Sequence, residues 1–170
     1  DYQKVLLECM SAGFNYMHIE LPWTVLAKDV SSNDWLYEKI SRAGLKSLVA
    51  DGGLVWIGSA SVPENAKGRN VEEFKALAQE FVRDLISHYK QKIWLWNVFN
   101  EPEQAVWFNE VTNLNEVGLV SVMAGIYRAG KAANPESTLY FNLGWIAWPA
   151  CNPRNIPISS VPYGLKLDEK

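Results

Sequence analysis

Cysteine and histidine are scarce in this sequence: Cys9, Cys151, His18 and His88 are the whole complement. Two cysteines are too few for a disulfide framework or a metal cluster, and no His/Cys/Asp spacing suggests a metal site, so neither a metal nor another cofactor is expected. Cys9 falls on the apolar face of a helix and reads as a buried thiol, not a reactive one. Long hydrophobic runs are missing too, none approaching the ~20 residues of a membrane span. Nor is there an excess of positive charge. The 16 Lys and Arg against 19 Asp and Glu leave a net charge of −3, which argues against nucleic acid or an anionic membrane surface as partner. The absence of a Gly-x-Gly-x-x-Gly turn and of a Walker loop disfavours the nucleotide-binding open sheets. A signal peptide is also absent, but the chain opens on Asp1, not Met, so the true N-terminus is expected upstream and this absence carries little weight.

What the chain does have is tryptophan, 8 in 170 residues. Flat aromatic faces stack on pyranose rings, so this abundance suits a sugar-binding protein. For any one Trp, packing in the core is at least as good a reading. A hydrophobic content of 48% with 21% charged residues is that of a globular domain able to bury a substantial core. The chain is organised around Lys92-Ile-Trp-Leu-Trp-Asn-Val-Phe-Asn-Glu-Pro-Glu103. Residues 93–99 are almost uniformly apolar, aromatic or β-branched, the pattern of a strand buried on both faces in a parallel sheet. Asn100 and Glu101 break the run and Pro102 stops the strand. An amide and a carboxylate therefore sit together at the carboxyl end of a buried strand, the end on which β/α barrels build their chemistry.

The elements around it alternate. Tyr2 to Ala12 reads as a helix with Val5, Leu6, Cys9 and Met10 on one face, stopped by Gly13. Phe14 to Leu21 reads as a strand with Glu20 near its carboxyl end, followed by a polar loop from Lys28 to Asn33. A helix from about Asp34 to Ala43, with Ser31-x-x-Asp34 as its capping box, stops at Gly44. Leu45 to Trp56 reads as a strand interrupted at Asp51-Gly52-Gly53, where a bulge or a close approach is expected. After a loop from Ser59 to Gly68, Asn70 with Glu73 three residues on caps a helix striped with Val71, Phe74, Leu77, Phe81, Leu85 and Tyr89. Beyond the central strand come a loop to about Asn113, a helix from Glu116 to Ala133 ended by Asn134-Pro135, and a strand from Thr138 to Leu143. The tail from Gly144 shows no period and reads as loop. Helix–strand alternation of this kind implies right-handed βαβ units and an α/β fold with a parallel sheet.

Trp96-Asn-Val-Phe-Asn-Glu101 resembles the acid/base strand of the clan A glycoside hydrolases, and most nearly that of family 10, the endo-β-1,4-xylanases. Further segments are similar in the same order: Phe14-Asn15-x-x-x-x-Glu20, Gly53-Leu-Val-Trp56, His88-Tyr-Lys-Gln-Lys-Ile93, and Ala132-Ala-Asn-Pro-x-x-x-Leu-Tyr-Phe-Asn142. The resemblance covers residues 4 to 142. It implies a single domain over residues 1–170, an incomplete (β/α)8 barrel holding about strands two to five, and an extracellular or periplasmic location. The family's nucleophile, a glutamate on strand seven, is then expected beyond Lys170. The departures are Gly52 and Ile57, where the family has two histidines, and Leu21 and Thr24, where it has an asparagine and a lysine.

The implied chemistry is retaining hydrolysis of β-glycosides, in which two carboxylates ~5–5.5 Å apart act as nucleophile and as acid, then base. Glu101 is the expected acid/base, beside aromatic neighbours that favour its protonated form. Asn100 is expected to bond the 2-hydroxyl of the reacting sugar, Glu20 and Asn142 to bind the substrate through sugar hydroxyls, and Trp56 to serve as a stacking platform. Each has a plainer reading. Asn100 could cap a short helix with Pro102 at its first position, Glu20 could pair with a nearby cation, and Trp56 could be core. His18, mid-strand, reads as a satisfied core histidine, and His88 as a charge suited to a helix end. An oligo- or polysaccharide is the expected partner. The rival readings are a carbohydrate-binding barrel that has lost catalysis and an unrelated α/β enzyme whose Asn-Glu-Pro is only a cap.

Overall fold

The computed structural model describes residues 2–14, 16–44, 47–51, 55–56, 61–102 and 113–142. In chain order the elements are α1 (Tyr2–Ser11), β1 (Tyr16–Glu20), α2 (Trp23–Leu26), a 3-10 turn (Val30–Asn33), α3 (Asp34–Arg42), β2 (Ser47–Asp51), β3 (Val55–Trp56), α4 (Val71–Tyr89), β4 (Ile93–Asn100), α5 (Glu116–Ala133) and β5 (Thr138–Asn142). Every strand pairing is parallel. β2 pairs with the first half of β4 and β3 with its last two residues, while β5 runs along β4 from Leu95 onward. Since one edge of a strand holds one neighbour at a time, β2 and β3 are successive pieces of one edge and β5 takes the other. The sheet thus has four positions: β1, then β2 with β3, then β4, then β5.

The register sorts the strands into cross-strand rows. Ile19, Ala50, Trp96 and Leu139 stand abreast, as do His18, Val49, Leu95 and Thr138 one residue earlier. Ile19 and Trp96 are buried, and a Cβ built on Gly130 of α5 would meet Leu139 Cδ1 at 2.9 Å, so Ile19, Trp96 and Leu139 face the helices. Alternation then puts His18, Leu95 and Thr138 on the other face. This explains His18, which is exposed and not the core histidine the strand pattern suggests.

The core lies between that helix-side face and α4 with α5, and it centres on Phe74, Ala78, Phe81, Val82, Leu85 and Ile86 of α4 together with Val122 and Ile126 of α5. The stripe expected on α4 is borne out at Phe74, Phe81, Leu85 and Tyr89, with Val71 and Leu77 partly buried at its edge. Asn70 caps α4 by accepting the Glu73 N–H at 3.0 Å, as its spacing predicts. Trp23 is packed edge-on to Phe74, ring centroids 5.5 Å apart, and stacked on Phe81 at 5.6 Å.

Several expectations are corrected. The cap before α3 is not Ser31. Asp29 accepts both the N–H and the hydroxyl of Ser31, because a charged acceptor two residues earlier takes those donors first and winds the segment into a 3-10 turn. The short helix α2 follows Pro22, whose fixed φ suits the entry to a helix. β4 is not buried along its whole length. Ile93 and Trp96 to Phe99 are buried, but Trp94 is 44% exposed and Leu95 half-buried. α1 leaves Val5 exposed and Cys9 half-buried. Gly52, Gly53 and the loop from Glu103 to 112 lie outside the described residues, as does the tail from 143.

Candidate active site at the carboxyl edge of the sheet

Two features of the backbone shape the end of β4. The first is a register shift between Asn97 and Phe99 against β5, which makes Val98 an extra residue. Simple alternation would set Asn97, Phe99 and Glu101 on one face. One inserted residue puts Asn100, not Phe99, on the face of Asn97, the face turned from the helices. The second is the backbone of Glu101, whose φ of 44° is the sole left-handed value among the described non-glycine residues. That conformation costs about 1–2 kcal/mol for a residue with a Cβ, and it breaks the strand where alternation would have carried the chain back toward the helices. Pro102, with no N–H to donate, ends the ladder.

The residues singled out from the sequence come to this edge. Glu20 ends β1 in register with Asp51, the end of β2. Trp56, Asn100 and Asn142 end β3, β4 and β5 and stand abreast in one row. Glu101 follows directly, half-buried, with its N–H donating to the Asn142 carbonyl at 3.1 Å.

Two residues at this edge escape a sequence reading. Asn97 is fully buried within the apolar run and donates from Nδ2 to Asn142 Oδ1 at 2.6 Å. Tyr140 stands opposite it in register on β5. The signal for Asn97 was a single amide inside Ile-Trp-Leu-Trp-Asn-Val-Phe, easily absorbed into a strand otherwise uniformly apolar. Among the described residues no group of three or more His, Cys, Asp or Glu is placed to hold a metal ion, and no helix is long and apolar enough to cross a membrane. Chemically, the edge offers amides able to orient hydroxyl groups and, at Glu101, a carboxyl group able to give or take a proton, with Glu20 and Asp51 ending the neighbouring strands.

A parallel α/β sheet with its polar side chains gathered at the carboxyl ends of its strands, and a glutamate on a strained turn at the end of its central strand, is built as a β/α-barrel enzyme is built. The profile described as "Glycosyl hydrolase family 10" matches residues 42–149, more than half of the chain, and the chain belongs to that family. Among solved structures, xylanase 10B from Thermotoga maritima superposes with a TM-score of 0.64 at 18% identity, over 84% of this chain and 46% of that one. The family 10 structure from Paenibacillus barcinonensis gives a TM-score of 0.64 at 15% identity, over 82% and 46%. A family 39 glycoside hydrolase from Bacteroides cellulosilyticus WH2 gives 0.58 at 17% identity, over 83% and 28%. At such identities these structures share the fold, and the chain spans less than half the length of each. No curated protein matches the chain by sequence.

Proposed function

We propose that the complete protein is a retaining β-glycoside hydrolase acting on plant-type polysaccharide in the manner of a xylanase, outside the cell or in the periplasm. Residues 1–170 are then part of a single catalytic (β/α)8 barrel, its strands two to five. Glu101 is the general acid/base, and Asn100, Glu20, Trp56 and Asn142 are the substrate-binding residues. The observation that carries this reading is the turn at Glu101: a carboxyl group on a left-handed residue at the carboxyl end of the central parallel strand, in a chain of family 10. Strain at a residue with a Cβ persists where its neighbours over-determine it, and such places cluster at functional sites.

The partner carboxylate comes from outside this chain. Glu20 and Asp51 end their strands in a row below that of Asn100, which suits contact with a neighbouring sugar better than attack on the same anomeric carbon. The rival reading, a barrel that binds glycans without cleaving them, draws on Gly52 and Ile57 in the places of two family histidines.

The test is Glu101→Gln in the complete protein. Loss of general acid help lowers kcat on natural glycosides by about 10²–10⁴, while aryl glycosides with good leaving groups lose much less in the first step. Equal loss on both substrates, or none, rejects the acid role. A wild-type protein that binds xylo-oligosaccharides and cleaves nothing selects the binding barrel.

A further inference from the structure

The edge holds a device that the sugar-contact roles leave unused. Asn142 is engaged twice from β4: its carbonyl accepts the Glu101 N–H at 3.1 Å, and its Oδ1 accepts Asn97 Nδ2 at 2.6 Å. The two donors flank the extra residue Val98 and the row that ends in Asn100. Asn97 is fully buried and Asn142 half-buried, so the pair lies largely out of water. A buried amide bonded to a neighbouring strand fixes local register more strictly than apolar packing does, since any slip would leave it without its partner in a dry setting. Here the slip would be the bulge itself. Losing it would return Asn100 to the helix side and release the left-handed turn at Glu101.

We propose that Asn97 and Asn142 are positioning residues for Glu101, their hydrogen bond across β4 and β5 locking the bulge and the turn that aim its carboxyl group. Asn142 then serves the reaction through Glu101 and not chiefly through the sugar. This rests on the acid/base role proposed for Glu101.

The experiment compares Asn142→Leu, Asn142→Asp and Glu101→Gln in the complete protein, each on natural glycosides and on aryl glycosides with good leaving groups. Asn142→Leu is expected to lower kcat on natural glycosides by about tenfold or more, to leave KM within about twofold, and to spare the aryl glycosides, because only the acid step is misaligned. Asn142→Asp keeps an acceptor for Asn97 and is expected to restore most of that kcat. Should Asn142→Leu fail to fold by circular dichroism, Asn142→Ala, a smaller side chain with no acceptor at a half-buried place, reads the same loss. A raised KM with kcat kept would make Asn142 a sugar ligand and overturn the proposal. So would equal loss on both substrates with no rescue by Asp, the mark of a merely structural residue. If Glu101→Gln shows the leaving-group dependence and Asn142→Leu does not, positioning fails while the acid role stands. If Glu101→Gln shows none, both fall together.

Discussion

Trp56 ends β3 in register with Asn100 and Asn142, the backbone place from which a ring can floor a sugar site. Its composition-level companions divide between two fates. Trp23 and Trp96 are core residues, whereas Trp35 and Trp94 are exposed, and the Trp35 ring carries Lys39 Nζ 5.1 Å from its centroid. A count of tryptophans cannot make that division, because each indole is apolar enough to bury and polar enough to stay at the surface. In the complete protein Trp56→Ala is expected to weaken oligosaccharide binding by about 1–3 kcal/mol, by analogy with base–aromatic stacking, if the ring is a platform. As a core residue it would instead lose about 3–5 kcal/mol of stability. Calorimetric titration beside a melting curve decides, and an unchanged affinity with a collapsed Tm rejects the platform.

Between elements, small residues set how closely α4 and α5 approach the sheet and each other. A Cβ on Gly130 would stand 2.9 Å from Leu139 Cδ1 and 3.0 Å from Ile86 Cδ1, and Ile86 is fully buried. Gly130→Ala therefore wedges α5 off the sheet, and a loss of about 1–3 kcal/mol is expected from overpacking, outweighing the gain in helix propensity. At Gly125 the nearest atoms are Gln79 Nε2 at 3.1 Å and Lys75 Cγ at 3.1 Å, in half-buried, flexible side chains. Those can yield, so Gly125→Ala is expected to gain about 0.5–1 kcal/mol. Opposite shifts in Tm for two glycines on one helix are the check.

A second link at this scale ties α3 to α4. His88 Nε2 lies 2.8 Å from Asp34 Oδ1. Burial works against the Asp34 carboxylate, but the hydrogen bond from His88 and the nearby positive charges outweigh it and hold its carboxyl below the ordinary 3.8. A lowered carboxyl contributes stability that is present above its unfolded value and lost as pH falls through that value and below. Asp34→Asn is thus expected to flatten the fall of Tm on acidification below about pH 4; a variant whose Tm falls as steeply as wild type there would refute the link.

For the whole molecule the sheet is what is left open. Among the described strands β1 and β5 each have one neighbour, and an edge without a partner is a template for pairing with another chain. The 170-residue chain alone is expected to fold by circular dichroism, to associate as its concentration rises in sedimentation, and to hydrolyse no xylan, cellulose, mannan or aryl glycoside. Turnover that disappears in Glu101→Gln would show that a nucleophile lies within these residues.

Local rules and short motifs carried far in this sequence. Pattern placed the long helices and the strands to within one or two residues, because α4 declares its period over many turns and β4 is an apolar run closed by Pro102. The cap at Asn70 and the stop at Gly44 follow from single-residue chemistry, and the order of motifs around Asn-Glu-Pro was enough to point to the family. What only the tertiary structure decided depends on neighbours far away in sequence. The extra residue at Val98 exists relative to β5, some forty positions on. The left-handed turn of Glu101 is held by the carbonyl of Asn142. Asn97 looks like a blemish in an apolar strand until Asn142 arrives beside it. His18 differs from Ile19 only by which face the sheet gives each of them. Hydrophobic pattern specifies which elements form and which side they bury. The aim of a side chain at a strand end is settled by register between strands, and that exists only once the sheet has assembled.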